Sequence, residues 1–138
     1  MKLQAMAKIN LGLDVVRKRD DGYHEVRMIM QTIQMYDQLD MAESSRPGIR
    51  LATNLAYLPN NENNLVYRAA NMLMEEFHIK KGLDIRLRKM IPVAAGMAGG
   101  SSDAAAAFIG VNRIFRLGLS MDELMQRAVK VGADVPIV

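Results

Sequence analysis

The chain has 138 residues, a formal net charge of +3 at pH 7 and 50% hydrophobic residues. This length predicts one domain, and no apolar run is long enough to span a bilayer. The charge is weak for a nucleic-acid partner, and three Phe, four Tyr and no Trp offer few rings for stacking bases. The absence of cysteine excludes disulfides, and two histidines argue against a zinc site built by the protein. The N-terminus has no signal-peptide pattern, so we expect a soluble intracellular protein without a membrane partner.

The first third of the chain favours extended structure. Residues 3–16 carry no helix start or stop signal and end in β-branched residues, and residues 26–35 form a second extended run. Between them, Asp21-Gly22 is a turn signal. Residues 37–43 predict a third strand, and a proline–glycine turn within 46–54 leads into a short alternating strand.

Apolar residues take up helical spacing in the middle of the chain. They place Leu65, Ala69, Met72, Leu73 and Phe77 on one face of a helix. Either Asn63 or Asn64 can cap this helix, because its side-chain oxygen can accept from the first free backbone N–H groups. Gly82 then breaks the pattern, residues 83–91 alternate as a strand, and Pro92 ends that strand.

Two further helices are predicted towards the C-terminus. Residues 101–115 contain an alanine run of high helix propensity, and Gly118 stops the helix. Ser120 and Glu123 form a capping box for a last helix that runs to about Val131. The mixture of strands and helices predicts an α+β or α/β fold. Residues 132–138 are a loop or the start of a strand, and their apolar ending suggests part of a longer chain.

A glycine-rich segment, "IPVAAGMAGGSSDAAAAF", separates the last predicted strand from the next helix. Glycine lets the backbone approach an anion without a Cβ in the way, and the first N–H groups of a helix have no intrahelical partner. Together with the helix dipole, they favour phosphate binding. The segment matches neither the Walker loop nor the dinucleotide fingerprint. A glycine-rich turn that feeds a close-packed helix and binds no ligand remains an alternative.

The glycine segment also resembles a known family motif. "PVAAGMAGGSSDAA" is similar to the motif of the GHMP kinases, which include galactose, homoserine and mevalonate kinases. "AKINLGLDVVRKRDDGYHEV", "NNLVYRAA" and "GADVP" narrow the resemblance to the branch that acts on 4-diphosphocytidyl-2-C-methyl-D-erythritol, and it covers nearly the whole chain. It implies an α+β sandwich of a mixed sheet and helices, like domain 2 of ribosomal protein S5. Residues 1–138 would be an incomplete N-terminal domain, and the family's C-terminal domain, which is expected to complete the site, is absent.

The resemblance implies an activity and its catalytic residues. The enzyme would transfer the ATP γ-phosphate to the substrate's 2-hydroxyl in the non-mevalonate route to isoprenoid precursors, in a bacterial cytoplasm. Lys8 and Asp134 match the family's catalytic pair, with Asn10 at the substrate hydroxyl and Tyr23 and His24 at the cytosine. The residues alone leave simpler alternatives open. Lys8 could face solvent, Asp134 could be a turn residue, and Tyr23 and His24 could be surface groups.

The resemblance also implies a nucleotide site. Its residues are Asn64, Leu65, Lys89, Pro92, Gly96, Ala98, Gly99, Gly100, Ser101 and Ser102. Lys89 could equally be a solvated residue at a strand end, and Asp103 could cap the loop helix. Mg²⁺ is expected with ATP, and Ser102 is the candidate metal contact.

Two alternatives to this function remain open. One is another GHMP kinase, of the homoserine or mevalonate type, against which the Gly-Tyr-His sequence argues. The other is a non-catalytic binding module on the same S5-like fold, in contact with RNA, against which the weak charge and few aromatic residues argue.

Overall fold

Four strands and three helices make up the part of the chain that the computed structural model describes, residues 1–18, 24–90 and 99–132. In chain order they are β1 (Lys2–Lys18), β2 (His24–Ser44), β3 (Ile49–Thr53), α1 (Leu65–Glu76), β4 (Gly82–Arg88), α2 (Gly99–Ile114) and α3 (Met121–Ala128). The predicted α+β class is therefore confirmed. None of these helices is both long and apolar enough to cross a membrane.

The four strands form one mixed sheet in the order β1-β2-β4-β3. The β1–β2 and β2–β4 pairs are antiparallel, and β3 pairs with β4 in parallel. The register of the β2–β4 pair runs from Gln38 opposite Arg88 to Ser44 opposite Gly82. The centre of the sheet is thus formed by the second half of β2 and by β4.

The sheet has one buried and one open face. Along β4, Leu83, Ile85 and Leu87 are buried, whereas the residues between them are exposed. Because successive side chains of a strand point to opposite faces, this alternation places one apolar face against the helices. The core there also contains Leu39 and Met41 of β2.

Helix α2 lies close against the sheet. A Cβ built on Gly110 would stand 2.4 Å from the sulfur of Met41 and 2.9 Å from Cδ1 of Leu3. Ala104 and Ala107 of the same helix are fully buried. The small side chains of the alanine run thus allow a close approach between helix and sheet.

The predicted strand boundaries in the first half need one correction. Residues 26–35 and 37–43 belong to a single strand, β2, rather than to two. The strand continues because its first part pairs with β1, and its last part pairs with both β1 and β4. The predicted turn at Asp21-Gly22 lies outside the described residues.

Helix ends differ from the prediction by a few residues. Asn64 is the N-cap of α1, which ends at Glu76, and His78 follows with a φ of 51° that a helix cannot continue. Helix α2 begins at Gly99 and includes the glycine pair, and α3 ends at Ala128, earlier than predicted. The capping box of Ser120 and Glu123 is confirmed.

Candidate nucleotide site

The starts of α1 and α2 lie side by side. A Cβ built on Gly100 would stand 3.5 Å from Cδ1 of Leu65, the first residue of α1. The structure therefore brings together three residues predicted to bind ATP, namely Leu65, Gly99 and Gly100. Since Gly100 has no side chain, Leu65 can lie against the second residue of α2 while the backbone there stays accessible.

The side chain of Asn64 holds the start of α1. Its Oδ1 accepts a hydrogen bond of 2.9 Å from the Val66 N–H, and its Nδ2 donates one of 3.0 Å to the carbonyl of Pro59. One amide proton and one oxygen lone pair remain beyond these two bonds. The structure shows that Asn64 caps α1. A contact between Asn64 and ATP stays a prediction.

Lys89 follows β4 directly, and its side chain is largely buried. Its ammonium lies 2.7 Å from Oδ2 of Asp37 and 2.8 Å from Oδ2 of Asp103, and only 6% of its side chain is exposed. A solvated lysine at a strand end, the alternative left open by the sequence, is therefore wrong. We call Asp37, Lys89 and Asp103 the buried ion cluster.

The backbone beside the buried ion cluster is also fixed by side chains. The carboxamide of Asn54 accepts from the Lys89 N–H at 2.7 Å and donates to the Lys89 carbonyl at 3.2 Å. The Met90 N–H donates to Oδ1 of Asp37 at 2.6 Å. These bonds end β4 at Arg88, before the predicted end at residue 91, because the backbone groups of Lys89 and Met90 bond to side chains instead of strand neighbours.

Burial changes the protonation of the cluster. Burial and the hydrogen bond with Asp37 raise the pKa of Asp103 to about 8, although the Lys89 ammonium works in the opposite direction. Burial by itself would lower the pKa of Lys89, but the attraction of Asp103 and Asp37 outweighs it and the pKa is raised. Asp103 therefore holds its proton to a higher pH than an ordinary aspartate, and Lys89 favours its charged form.

Asp37 and Asp103 are site residues that the sequence analysis did not assign. Asp37 alternates with Leu39 and Met41, which are buried core residues, so the two-residue period of the strand was the available signal. Asp103 does not cap α2, because Oδ2 binds Lys89 and Oδ1 has no hydrogen-bond partner among the described residues.

Three of the predicted catalytic and substrate residues, Lys8, Asn10 and His24, lie on the first two strands. Lys8 pairs with Thr32 of β2 and Asn10 with Met30, and the register shifts on both sides of this segment. Such irregularities bend a strand and often occur beside functional sites. His24 begins β2, where it pairs with Lys18.

Several predicted site residues fall outside the described part of the chain. They are Tyr23, Pro92, Gly96, Ala98 and Asp134. Ser101 lies in the first turn of α2, and Ser102 beside it is 6% exposed. Of the predicted phosphate-binding segment, the structure therefore describes the part that belongs to α2, from Gly99 onwards.

The described residues do not fit a magnesium site built by the protein. They contain no group of three or more His, Asp or Glu residues that could hold a metal ion. Ser102, the predicted metal contact, offers one hydroxyl and is buried. A contact between Ser102 and a Mg²⁺ ion that accompanies ATP stays a prediction.

Comparison with known proteins agrees with this architecture. The family model described as "GHMP kinases N terminal domain" matches residues 64–138. A 4-diphosphocytidyl-2-C-methyl-D-erythritol kinase of Lachnospira eligens is 53% identical over 99% of this chain and 47% of its own length. One of Lachnoclostridium phytofermentans is 54% identical over the same shares. The chain spans about half the length of the curated relatives that it matches.

Solved structures show the same fold. The crystal structure of a 4-(cytidine 5'-diphospho)-2C-methyl-D-erythritol kinase is 36% identical, with a TM-score of 0.76 over 99% of this chain and 48% of that one. Mevalonate kinase of Methanococcus jannaschii is 20% identical, with a TM-score of 0.71 over 99% of this chain and 46% of that one, and is similar in fold alone. The family model matches more than half of the residues, and the chain has the glycine segment, α2 and the mixed sheet described above. This chain therefore belongs to the GHMP kinases, as their N-terminal domain.

Proposed function

We propose that this chain is the ATP-binding and catalytic part of a kinase for the 2-hydroxyl of 4-diphosphocytidyl-2-C-methyl-D-erythritol. The observation that carries the proposal is the 54% identity over 99% of the chain with a relative of that name. Structures of homoserine and mevalonate kinases are only 21% and 20% identical, so they support no rival substrate. Because the named relatives are bacterial, we place the activity in a bacterial cytoplasm, in the non-mevalonate route to isoprenoid precursors.

The start of α2 is the proposed triphosphate site. The first amides of a helix lack intrahelical partners, and the dipole makes this end partly positive. Gly99 and Gly100 keep the backbone there open to an anion. The adjacent Leu65 and Asn64 at the start of α1 would contact the nucleoside.

The proposed reaction is an in-line transfer of the γ-phosphoryl group. The substrate hydroxyl oxygen forms a bond to the γ-phosphorus, the bond from that phosphorus to the bridging oxygen breaks, and ADP leaves. The hydroxyl proton goes to the carboxylate of Asp134, and the ammonium of Lys8 stabilises the developing alkoxide. Asn10 would orient the hydroxyl, Tyr23 would stack on cytosine and His24 would hydrogen-bond to it.

A chimera tests this function at the length of the relatives. This chain replaces the matching segment of the Lachnoclostridium phytofermentans relative, and product formation from ATP is followed with the cytidyl substrate, homoserine and mevalonate. We expect phosphorylation of the cytidyl substrate alone. A folded chimera that phosphorylates one of the other two alcohols, or none, contradicts the proposal.

Two substitutions test the catalytic pair in the same chimera. Lys8→Ala and Asp134→Ala should each lower kcat by about 100-fold or more, the contribution expected of a positioned acid–base or charge-stabilising group. The KM for ATP should stay within about threefold, because neither residue is assigned to the nucleotide. Undiminished turnover in both variants would remove the pair from the mechanism.

A further inference from the structure

We propose that the buried ion cluster positions the N-terminal end of α2 for phosphate binding, and that Lys89 acts through this helix rather than by contact with the nucleotide. The inference rests on the proposed function, since it takes the start of α2 as the triphosphate site. It makes Lys89 and Asp103 positioning residues.

The cluster joins three separate elements. Asp37 lies on β2, Lys89 directly after β4, and Asp103 is the fifth residue of α2. One ammonium therefore connects β2, one of the two central strands of the sheet, with α2, which begins within the glycine segment. The connection is direct, at 2.7 and 2.8 Å, so it limits how far this end of α2 can move away from the sheet.

The strand side of this connection is rigid. Lys89 is held on both sides of its backbone by the carboxamide of Asn54, and Met90 is held by the second oxygen of Asp37. The side chain of Asp37 is fully buried. Lys89 thus extends from a fixed backbone to the helix, as a positioning residue requires.

Lys89 is poorly placed to bind phosphate itself. Two carboxyl groups already take its ammonium, and its side chain is 6% exposed. If the ammonium moved to a phosphate, it would leave Asp37 and Asp103 buried without their cation, which is strongly unfavourable. Its effect on the nucleotide is therefore exerted through Asp103 and the helix.

The charge of the cluster suits a neighbouring anion site. Ionised carboxylates near the start of α2 would be favoured by the helix dipole, but they would repel a bound triphosphate. Burial and Asp37 raise the pKa of Asp103, so Asp103 carries less negative charge near neutral pH than an ordinary aspartate. The contact with Lys89 thus holds the helix in place with less negative charge beside the phosphates.

Two substitutions of Asp103 separate the effect of its contact with Lys89 from the effect of its charge. Asp103→Asn keeps an oxygen that can accept from Lys89, whereas Asp103→Ala removes the connection and leaves the Asp37–Lys89 pair intact. Lys89→Met removes the ammonium. Lys81→Met is the matched control, because Lys81 is 68% exposed and binds Glu43 on the surface.

The measurement is the affinity of the whole 138-residue chain for ATP and for adenosine by titration calorimetry, with thermal unfolding as a check of folding. We expect Asp103→Ala and Lys89→Met to weaken ATP binding about tenfold or more, the loss that follows when hydrogen bonds to a charged ligand are misplaced. Adenosine, which has no phosphate, should be affected less than about threefold. Asp103→Asn should retain most of the ATP affinity, and Lys81→Met all of it.

The outcomes distinguish this inference from the proposed function. Turnover by the unchanged chimera decides the function, whereas the ratio of ATP to adenosine affinity in the variants decides the inference. If Lys89→Met does not fold, Asp103→Ala decides it. ATP binding that is undiminished in Asp103→Ala, or an equal loss for adenosine, overturns the inference. It is also overturned if the unchanged chain binds no ATP while the chimera turns over.

Discussion

The buried ion cluster and the surface pair of Arg127 with Glu76 use the same chemistry in two different environments. Arg127 donates to both oxygens of Glu76 at 2.7 to 3.0 Å, as close as the contacts of Lys89. The side chains of the surface pair are 21% and 40% exposed, whereas those of the cluster are at most 6% exposed. The two regions thus differ in access to water rather than in contact distance.

This difference decides what each group of charges contributes. In an exposed pair, water and salt compensate for the loss of either partner, so such pairs contribute little to the free energy of unfolding. In the buried cluster water does not replace lost partners, so loss of both carboxyl groups leaves an uncompensated charge in the core. Burial turns an ion pair into a constraint on position.

The largest effect should come from loss of both carboxyl groups of the cluster. The double variant Asp37→Asn/Asp103→Asn leaves Lys89 charged without a counter-ion, so we expect a loss of about 3 kcal/mol in the free energy of unfolding. Each single variant should lose much less than half of that, because the remaining carboxyl group can supply the negative charge. Urea unfolding at pH 7 measures all three. Additive single effects would show that the two carboxyl groups do not share one charge.

A smaller effect should appear as a pH dependence. Because the pKa of Asp103 is raised to about 8 in the folded protein, the stability that its proton supplies is present at low pH and is lost as the pH rises through this value. Asp103→Asn cannot titrate, so the parent chain should lose stability relative to this variant between pH 6 and 8. The slope is at most about 1.4 kcal/mol per pH unit.

The titration of Asp103 depends on the charged groups that contact it. Asp37 from β2 and Lys89 after β4 are the charged partners of Asp103 in the part of the chain that the structure describes. Thermal and urea unfolding of the two proteins across this range provide the measurement. Parallel curves would mean that Asp103 does not hold its proton at pH 7.

The smallest effect should come from the surface pair. The hydrogen bond from Arg127 lowers the pKa of Glu76. Glu76→Gln removes this carboxylate and leaves Arg127 over the ring of Phe77. We expect a loss of at most about 0.5 kcal/mol in the free energy of unfolding. It should disappear in about 1 M salt, where the screening length falls to about 3 Å. A loss that persists in high salt would show that exposure does not explain the difference between the two regions.

Local patterns in the sequence predicted much of the fold. The alternation in β4, the helical spacing in α1 and the capping box of α3 are all short-range signals, and each element exists where its signal lies. The family resemblance, which rests on the glycine segment and three other stretches, narrowed the predicted fold class from α+β or α/β to α+β. Element ends were less predictable, because the end of β4 depends on Asn54, a residue 35 positions away from Lys89.

Short-range signals could not predict the contacts of the buried ion cluster. Lys89 is 52 residues from Asp37 and 14 from Asp103, so their contact depends on the order of the strands and on how α2 packs. The period of β2 did place Asp37 in phase with core residues, and a charged residue in such a position needs a partner. The sequence does not say which of the many charged residues that partner is.

The close fit at Gly110 gives α2 a second fixed point. Its N-terminal end is tied to the sheet through Asp103, and its far half touches Met41 and Leu3 with no room for a methyl group. A bulkier residue at position 110 would therefore lift that half and tilt the helix about the tied end as a pivot. Remote mutations at this contact could retune the nucleotide site without altering any residue that lines it.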